Sequence, residues 1–507
     1  MSGPFCYTDN ERAIEPIDGK FVETLDLYAW QTMETLSEDN PGLLVFPPDF
    51  ESIKDGLKDQ SLFELEHRKS GAFIRTGNIV GMFGLRPKES GCPIDFQIRS
   101  RFDTDNRQFF LFYLLERIFG IHSLDLVAQT DNRNHVINLA VCLFPFALKA
   151  ALAKGLYKTY RTFHRNDDAV TGSLDVDRHV QENIPFRGTI AYSSRERSSD
   201  NHLIQLVRHT IEHIAASAHR SVLSSGKEIR DSVALIREAT PTYLKSRRSD
   251  VIARNLRVVR HPYYSEYTYL QKVCLMILRD EQISYSMDGK SEIYGLVFMV
   301  DWLWEEYLAS VLAACKWDGS LSHPRNRDKE DKKYIYLVES ESRNGGKRQK
   351  GKSLPDFMLR LNNSVLRDPV QDQDAIFDAK YKRLSSKNGQ YACVQRDDRL
   401  QMISYLHVTK AKCGLFLFPK AHNEAIYLSE EAETSVDERL EDKKPLKYGT
   451  VYGYEWSPNK RPEIWVVPFM VPAYDEGTDY SNFKESMEKS EKLFIENLEK
   501  VLDNAEE

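Results

Sequence analysis

Two short apolar runs of the sequence carry acidic side chains and a lysine at positions where buried strands are expected. The runs are SLPDFMLRL and AIFDAKYKR, and the largely polar segment NNSVLRDPVQDQD separates them. Alternate side chains of a β-strand share a face at about 3.3 Å of rise per residue, so Asp378 and Lys380 lie on one face roughly 7 Å apart. Such charges are costly on a buried strand unless they are paired or bind a cation. They therefore constrain both the fold and the chemistry of the chain.

A second carboxylate, Asp356, follows Pro355 near the start of the preceding strand. If the two strands pair, Asp356 and Asp378 converge, and two converging carboxylates with water form a site for a hard divalent cation such as Mg²⁺ or Mn²⁺. Lys380 would then orient and acidify a water on that cation. A positioned cation, an activated water and charge neutralisation at the phosphate are what phosphodiester hydrolysis requires.

Less specific interpretations of the same residues remain open. Asp378 and Lys380 could form an ion pair on a surface hairpin, which would contribute little energy. Asp356 could accept hydrogen bonds in a turn after Pro355. The apolar residues AIF before Asp378 favour a central strand over a surface hairpin.

The order Pro355-Asp356 followed by Asp378-Ala379-Lys380 resembles the motif of the PD-(D/E)xK nuclease superfamily. More specifically, PDFMLR, FDAKYK, LQMISY and LFLFP resemble, in order and spacing, the McrC subunit of McrBC-type methylation-dependent restriction systems and the related LlaJI-type restriction proteins. The resemblance covers about residues 140–420 and is strongest from about 297 to 420. One departure is Thr171, which stands where that family commonly has an arginine.

The resemblance implies further site residues and a partner. A helix before the sheet is expected to supply another acid, Glu305 or Glu306, of which Glu305 in LWEEY matches better. A later helix is expected to bring Gln401 to the site, with Tyr405 one turn on. The implied protein is a DNA endonuclease subunit that docks through its N-terminal half onto a McrB-like ring of AAA+ GTPase subunits and stimulates nucleotide hydrolysis. A dimer is one form that the cleavage complex can take.

Two other functions are compatible with the same motifs. One is a stand-alone PD-(D/E)xK nuclease of DNA repair or recombination, which would cut without a GTPase partner. The other is a non-catalytic activator of an AAA+ ring, which would not need Asp378 or Lys380.

A basic stretch precedes Asp356. The segment GKRQKGKS, residues 346–353, matches the nucleotide-binding pattern GxxxxGK[ST]. That pattern binds phosphate where the loop leads into a helix, whereas LPDFMLRL, with its early proline and β-type residues, follows here. The sequence favours a basic hairpin that contacts the DNA backbone. The candidate DNA-binding residues are Lys347, Arg348, Lys350, Lys352 and, on the Asp378 face, Lys382, which could equally be a strand-end lysine in solvent.

The charge balance indicates that any DNA-binding surface is local. Lys and Arg number 69 against 76 Asp and Glu, and a net charge of −7 provides no general attraction to nucleic acid or anionic membrane. The seven cysteines are dispersed without a CxxC pair, as in reduced cytosolic proteins. There is no signal-peptide pattern and no uninterrupted apolar segment of membrane-spanning length. With the family resemblance, these features predict a prokaryotic cytoplasmic protein.

The length of 507 residues predicts several domains with mixed α/β structure, that is, a mixed α+β multidomain protein. Short runs over Gly71–Arg101 predict a small antiparallel sheet, Leu143–Thr162 a helix, and about 200–315 a mainly helical stretch. Strand-like runs from about 334 to 419 around a helix predict a compact α/β unit. The expected segments are a β-containing N-terminal docking region (1–165), a mainly helical middle (166–284), a restriction-endonuclease-like core (285–425) and a C-terminal extension ending in an amphipathic helix (426–507).

Overall fold

The computed structural model shows a mixed arrangement of helices and several sheets, which confirms the expected fold class. It describes residues 5–40, 42–47, 60–86, 94–120, 132–186, 188–279, 292–324, 335–341, 347–361, 373–382, 394–421, 444–451 and 461–506. The described strands are β1 Phe5–Thr8, β2 Leu43–Phe46, β3 Phe63–Arg68, β4 Gly71–Thr76, β5 Ile79–Arg86, β6 Ile94–Arg99, β7 Thr159–Asp167, β8 Ser173–Leu174, β9 Ile190–Ser198, β10 Glu292–Met299, β11 Gly319–Ser322, β12 Ile335–Glu341, β13 Lys347–Ser353, β14 Phe357–Leu361, β15 Ala375–Ala379, β16 Cys413–Ala421, β17 Leu446–Thr450 and β18 Glu463–Val471. The described α-helices are α1 Gly19–Asp26, α2 Met33–Asp39, α3 Phe109–Phe119, α4 Asn132–Leu152, α5 Val176–Glu182, α6 His202–Ala216, α7 Lys227–Ala239, α8 Arg248–Arg254, α9 Ser265–Arg279, α10 Val300–Ala314, α11 Arg396–Thr409 and α12 Tyr480–Glu506.

The chain forms two compact units. Unit 1 combines residues 1–128 with residues 291–507, and unit 2 consists of residues 129–290. Unit 1 therefore brings together parts of three of the four segments expected from the sequence. The assignment of separate roles to those four segments stays a prediction.

The first sheet of unit 1 joins strands that are remote in sequence. Its order is β1-β6-β5-β10-β2, and β10 pairs antiparallel with β5 although about 200 residues separate them. The close pairing explains why a glycine occupies position 81. Gly81 has a φ of +134°, and a Cβ at this position would lie 2.2 Å from the carbonyl oxygen of Leu296. The expected small sheet over Gly71–Arg101 was only partly right, because β4 pairs with β3 in a separate two-stranded ribbon.

The second sheet of unit 1 carries the residues predicted to be functional. Its order is β11-β14-β15-β16-β18-β17. Strands β14 and β15 are antiparallel, whereas β15, β16 and β18 run parallel to one another. Two expectations about its strands were wrong. Strand β12 pairs with β13 in a separate hairpin, and β17 and β18, expected in an extension, complete this sheet.

Helices cover both faces of the second sheet. On one face, Met402 and Leu406 of α11 share a buried cluster with Met358, Ile376 and Phe416. On the other face, aromatic rings of α10 and α12 pack against a ring of β18, with centroid distances of 5.3–5.6 Å; these rings are Trp304, Tyr307, Phe494 and Phe469. The apolar side chains expected on one side of the final helix are all buried, namely Phe483, Met487, Phe494, Leu498 and Val501.

Unit 2 combines helices α4–α9 with the three-stranded antiparallel sheet β7-β9-β8. The expected helix over Leu143–Thr162 was wrong beyond Leu152, because the run from Thr159 pairs with β9 as strand β7. Asn201 caps α6 by accepting hydrogen bonds from two backbone amides. None of the described helices combines the length and the apolar character that a membrane span requires.

Candidate active site

The pairing of β14 with β15 brings the two predicted aspartates together. Phe357 lies opposite Phe377 in this register, and continuing the register by one residue places Asp356 opposite Asp378. Residues opposite each other in an antiparallel pair point to the same face. Both aspartates are 1% exposed, and the Oδ2 atom of Asp356 accepts a hydrogen bond of 2.6 Å from the amide of Ala379. The two carboxylates therefore lie on neighbouring strands and on one face of the sheet.

Lys380 offsets part of the cost of burying these charges. Its Nζ atom lies 2.8 Å from Oδ2 of Asp378, and its side chain is 16% exposed. Burial lowers the pKa of Lys380, but the carboxylates of Asp378 and Asp398 outweigh burial and raise that pKa above its usual range. Lys380 consequently stays protonated at neutral pH and acts as a fixed positive charge.

Helix α11 brings Gln401, which the resemblance implied as a site residue, into contact with Lys380. The Nζ atom of Lys380 donates to Oε1 of Gln401 at 3.3 Å, and Nε2 of Gln401 donates to the hydroxyl of Tyr405 at 2.7 Å. That hydroxyl donates its single proton to the carbonyl of Leu354 at 2.9 Å. Because the hydroxyl can only accept from Gln401, the amide of Gln401 must turn its oxygen towards the lysine.

The same tyrosine connects the site to the end of strand β13. The hydroxyl of Ser353 donates to the hydroxyl of Tyr405 at 3.0 Å. Burial and the nearby carboxylate of Asp378 raise the pKa of Tyr405 to about 12, so its hydroxyl keeps the proton that this network needs. Ser353 is the last residue of β13, which is called the basic strand below because its sequence is KRQKGKS. The end of this strand therefore lies beside the candidate site.

Asp398 is a site residue that the sequence prediction missed. It is buried in the first turn of α11, and its Oδ1 atom lies 3.5 Å from Nζ of Lys380. Its two oxygens also accept from Nζ of Lys382 at 3.2 and 3.0 Å. A usable signal was present, because Asp398 precedes Gln401 by three residues and thus shares its helix face.

Lys382 and the basic strand were both predicted to bind DNA. In this structure Lys382 is held by Asp398 and by Oε1 of Gln395 at 3.2 Å. Residues Lys347, Arg348, Lys350 and Lys352 lie on β13, and the structure describes the backbone of these four residues alone. Their DNA contacts, like that of Lys382, stay a prediction. The hairpin of β12 and β13 does contradict a nucleotide-binding loop, because the segment after Lys347 is a strand that no helix directly follows.

Glu305 and Glu306 lie beside a histidine that the sequence analysis did not single out. The ring of His323 donates from Nδ1 to the backbone carbonyl of Asp356 at 2.7 Å and stacks on the ring of Phe357 at 4.6 Å. Its Nε2 atom is 3.8 Å from Oε1 of each glutamate. Phe357 leaves its strand on the face opposite Asp356. No sequence signal linked His323 to the site, since only the pairing of β11 with β14 brings it there.

Asp356 and Asp378 therefore lie together, whereas Glu305, the third acid that the resemblance implied, lies beside His323. A role of Glu305 in the site stays a prediction. Within the part of the chain that the structure describes, no three His, Cys, Asp or Glu side chains are arranged to hold a metal ion. A cleft of about 360 Å³ lies on the α10 side, and neither aspartate lines it. The donor set of Asp356 and Asp378 still fits Mg²⁺, which is commonly bound by one or two carboxylates and several waters.

Comparisons with known proteins identify a family and two solved structures to which the chain is similar. The sequence model of the family described as McrBC 5-methylcytosine restriction system component matches residues 74–419. The chain is similar to one in a refined half-complex from a tetradecameric assembly of Thermococcus gammatolerans McrB AAA+ hexamers with bound McrC, at 14% identity, 96% coverage of this chain, 100% of that chain and a TM-score of 0.42. It is also similar to one in the cryo-EM structure of the Thermococcus gammatolerans McrBC complex, at 14% identity, 62% and 88% coverage and a TM-score of 0.28. No curated protein matches.

Proposed function

Given that the chain belongs to the family of McrBC 5-methylcytosine restriction system components, we propose that it is the endonuclease subunit of such a system. In this proposal it cuts DNA by Mg²⁺-dependent or Mn²⁺-dependent hydrolysis of the phosphodiester backbone. The observation that supports the proposal most is the placement of Asp356 opposite Asp378 with Lys380 beside them. Buried like charges on adjacent strands are expensive, and a bound cation would remove that cost.

Asp356 and Asp378 would hold the metal ion. A bound Mg²⁺ supplies positive charge to the scissile phosphate and lowers the pKa of a coordinated water. Two carboxylates with water are a sufficient protein contribution for this ion. Glu305 would join them only if its carboxylate moved away from His323.

Lys380 would orient the attacking water and stabilise negative charge on the phosphate. The carboxylates of Asp378 and Asp398 raise the pKa of Lys380, so its ammonium group is suited to donating hydrogen bonds to the water or the phosphate. Its three N–H groups face Asp378, Gln401 and Asp398, so small shifts of these neighbours would move the ammonium group. The basic strand and Lys382 are the proposed contacts to the DNA backbone.

We infer that an AAA+ GTPase ring is the partner, as family membership implies. The net charge of −7 suits a subunit that obtains much of its DNA affinity from another protein. Unit 2 exposes apolar side chains, all within the N-terminal half of the chain, that would suit a protein partner. They are Leu174, Val176, Val180, Ile184 and Phe186, each more than half exposed.

Co-purification with the neighbouring gene product, followed by cleavage assays with GTP or ATP and Mg²⁺ on methylated and unmethylated DNA, tests the proposal. Asp378→Asn and Lys380→Ala should each lower the cleavage rate by about 10²–10³-fold, as expected when a charge-stabilising group is removed. Both variants should still bind the partner and stimulate its nucleotide hydrolysis. The matched control is Lys489→Ala, which changes an exposed lysine on α12.

The outcomes separate the competing functions. Cleavage that needs no partner would indicate a stand-alone nuclease. Normal stimulation of the partner with no DNA cleavage under any condition would indicate a non-catalytic activator. Wild-type cleavage by Asp378→Asn would refute the proposed site.

A further inference from the structure

Four charged side chains beside the proposed site form a line of alternating sign. Asp378 contacts Lys380 at 2.8 Å, Lys380 contacts Asp398 at 3.5 Å, and Asp398 contacts Lys382 at 3.0 Å. Asp398 lies between the two lysines in this line and is 7% exposed. A single buried carboxylate therefore interacts with both lysines that follow Asp378 on its strand face.

The two lysines differ in their exposure and in the residues that hold them. The ammonium group of Lys380 contacts Asp378, Asp398 and Gln401, and its side chain is 16% exposed. Lys382 is 40% exposed, and among the described residues all three acceptors of its ammonium group belong to Asp398 and Gln395, of which only Asp398 is charged. It also interacts electrostatically with the buried Asp301. Contact of Lys382 with a phosphate would therefore compete with its ion pair to Asp398.

The contact of Asp398 with Lys380 becomes more important for holding the lysine once Asp378 binds a cation. A carboxylate that coordinates a divalent ion attracts a neighbouring ammonium group less, because the net charge near it becomes positive. Lys380 would then be repelled by the cation and would depend on Asp398 and Gln401 to keep its place. Asp398 is therefore the carboxylate that still attracts Lys380 when Asp378 binds the cation.

We propose that Asp398 is a positioning residue with two roles. It holds Lys380 at the site, and its ion pair with Lys382 keeps that lysine from contacting DNA until DNA binding displaces the pair. This inference rests on the proposed function for the identity of the ligand. It makes two predictions of opposite sign. Loss of the Asp398 charge should strengthen DNA binding and should weaken catalysis on bound DNA.

The test uses the full-length chain and Asp398→Asn. Binding of a short fluorescein-labelled DNA duplex is measured by anisotropy in EDTA, where no cleavage occurs. We expect binding about three- to fivefold tighter, the effect of releasing one partly exposed ion pair. In the complex with its partner and Mg²⁺, the cleavage rate at saturating DNA should fall about tenfold, as one charge-assisted contact to Lys380 is lost.

Two further variants separate positioning from a general change of charge. Asp397→Asn makes the same substitution at the exposed neighbouring residue, and it should leave the cleavage rate unchanged. Adding Lys382→Met to Asp398→Asn should abolish the gain in binding without restoring cleavage. A gain that persists in the double variant, an equal gain with Asp397→Asn, or unchanged cleavage by Asp398→Asn would each overturn the proposal.

The binding measurement does not depend on nuclease activity. If the wild type never cuts DNA, the proposed function fails, while the anisotropy results still decide whether Asp398 restrains Lys382. If Asp398→Asn does not fold, the variant Lys382→Met alone tests whether Lys382 leaves Asp398 to contact a DNA phosphate. It should lower the dependence of log Kd on log salt by about one, because one phosphate contact is lost, and an unchanged slope would overturn the restraint.

Discussion

Replacing Arg101 with methionine should remove a buried ion pair in the first sheet, between the residues that follow β1 and β6. The Asp9 carboxylate is fully buried and accepts from the backbone amide of Arg101 at 2.5 Å and from its Nε atom at 2.6 Å. The guanidinium group also donates to Asn78 at 2.6 Å. It lies 5.4 Å from the ring centroid of Tyr381, the residue directly after Lys380.

The expected cost follows from the burial of both charges. The side chain of Arg101 is 11% exposed, so solvent screens this pair little. Removing one partner of a buried pair typically costs about 3–5 kcal/mol, because the remaining charge is left uncompensated. We expect Arg101→Met to lower the free energy of unfolding of unit 1 by this amount. Adding Asp9→Asn should recover part of the loss, since the uncompensated carboxylate is then absent.

Urea unfolding followed by circular dichroism and tryptophan fluorescence measures the effect. The matched control is Arg12→Met, because Arg12 is 58% exposed and forms a surface pair with Glu66. A surface pair of this kind contributes about 0–1 kcal/mol. If Arg101→Met costs no more than Arg12→Met, or if Asp9→Asn recovers nothing, the stabilising role of the buried pair is refuted.

Two further predictions concern single hydroxyl and carboxyl groups. Tyr405→Phe removes the hydroxyl that orients Gln401 and leaves the carbonyl of Leu354 without this donor, so unfolding free energy should fall by about 1–3 kcal/mol and turnover at saturating DNA should fall with KM unchanged. Wild-type turnover would contradict the positioning of Lys380 through this network. Burial raises the pKa of Asp103 from 3.8 to about 7, so the folded state keeps a proton that the unfolded state releases, and stability should fall as pH rises from about 4 to 7. Asp103→Asn should abolish that loss and be more stable than the wild type at pH 8, on the order of 4 kcal/mol, and identical pH profiles of thermal unfolding for both proteins would contradict the assignment.

Local patterns in the sequence were sufficient to predict much of the candidate site. Alternation along AIFDAKYK places Asp378 and Lys380 on one face, and the spacing of Gln401 and Tyr405 places both on one face of a helix. These relationships depend on strand and helix geometry alone, so no knowledge of the remaining fold was needed. The mixed α/β class and the family followed from the same segments, and both are confirmed.

Other site residues could not be predicted because they reach the site through contacts distant in sequence. His323 meets Asp356 through the pairing of β11 with β14. Asp398 was within reach of a periodicity argument, but its contact with two lysines depends on how α11 packs on the sheet. The expected third acid, Glu305, follows a family pattern, and its observed neighbour is a histidine.

The sequence by itself determined which segments are strands and helices around the site and which charges share a face, because these properties depend on neighbours a few residues away. The tertiary structure alone decided that β10 enters the first sheet between β5 and β2, and that β18 lies beside β16 in the second. Strand partners are chosen by complementary apolar faces and backbone hydrogen bonds between remote segments, and one strand pattern is compatible with many partners. Local periodicity carries no information about that choice.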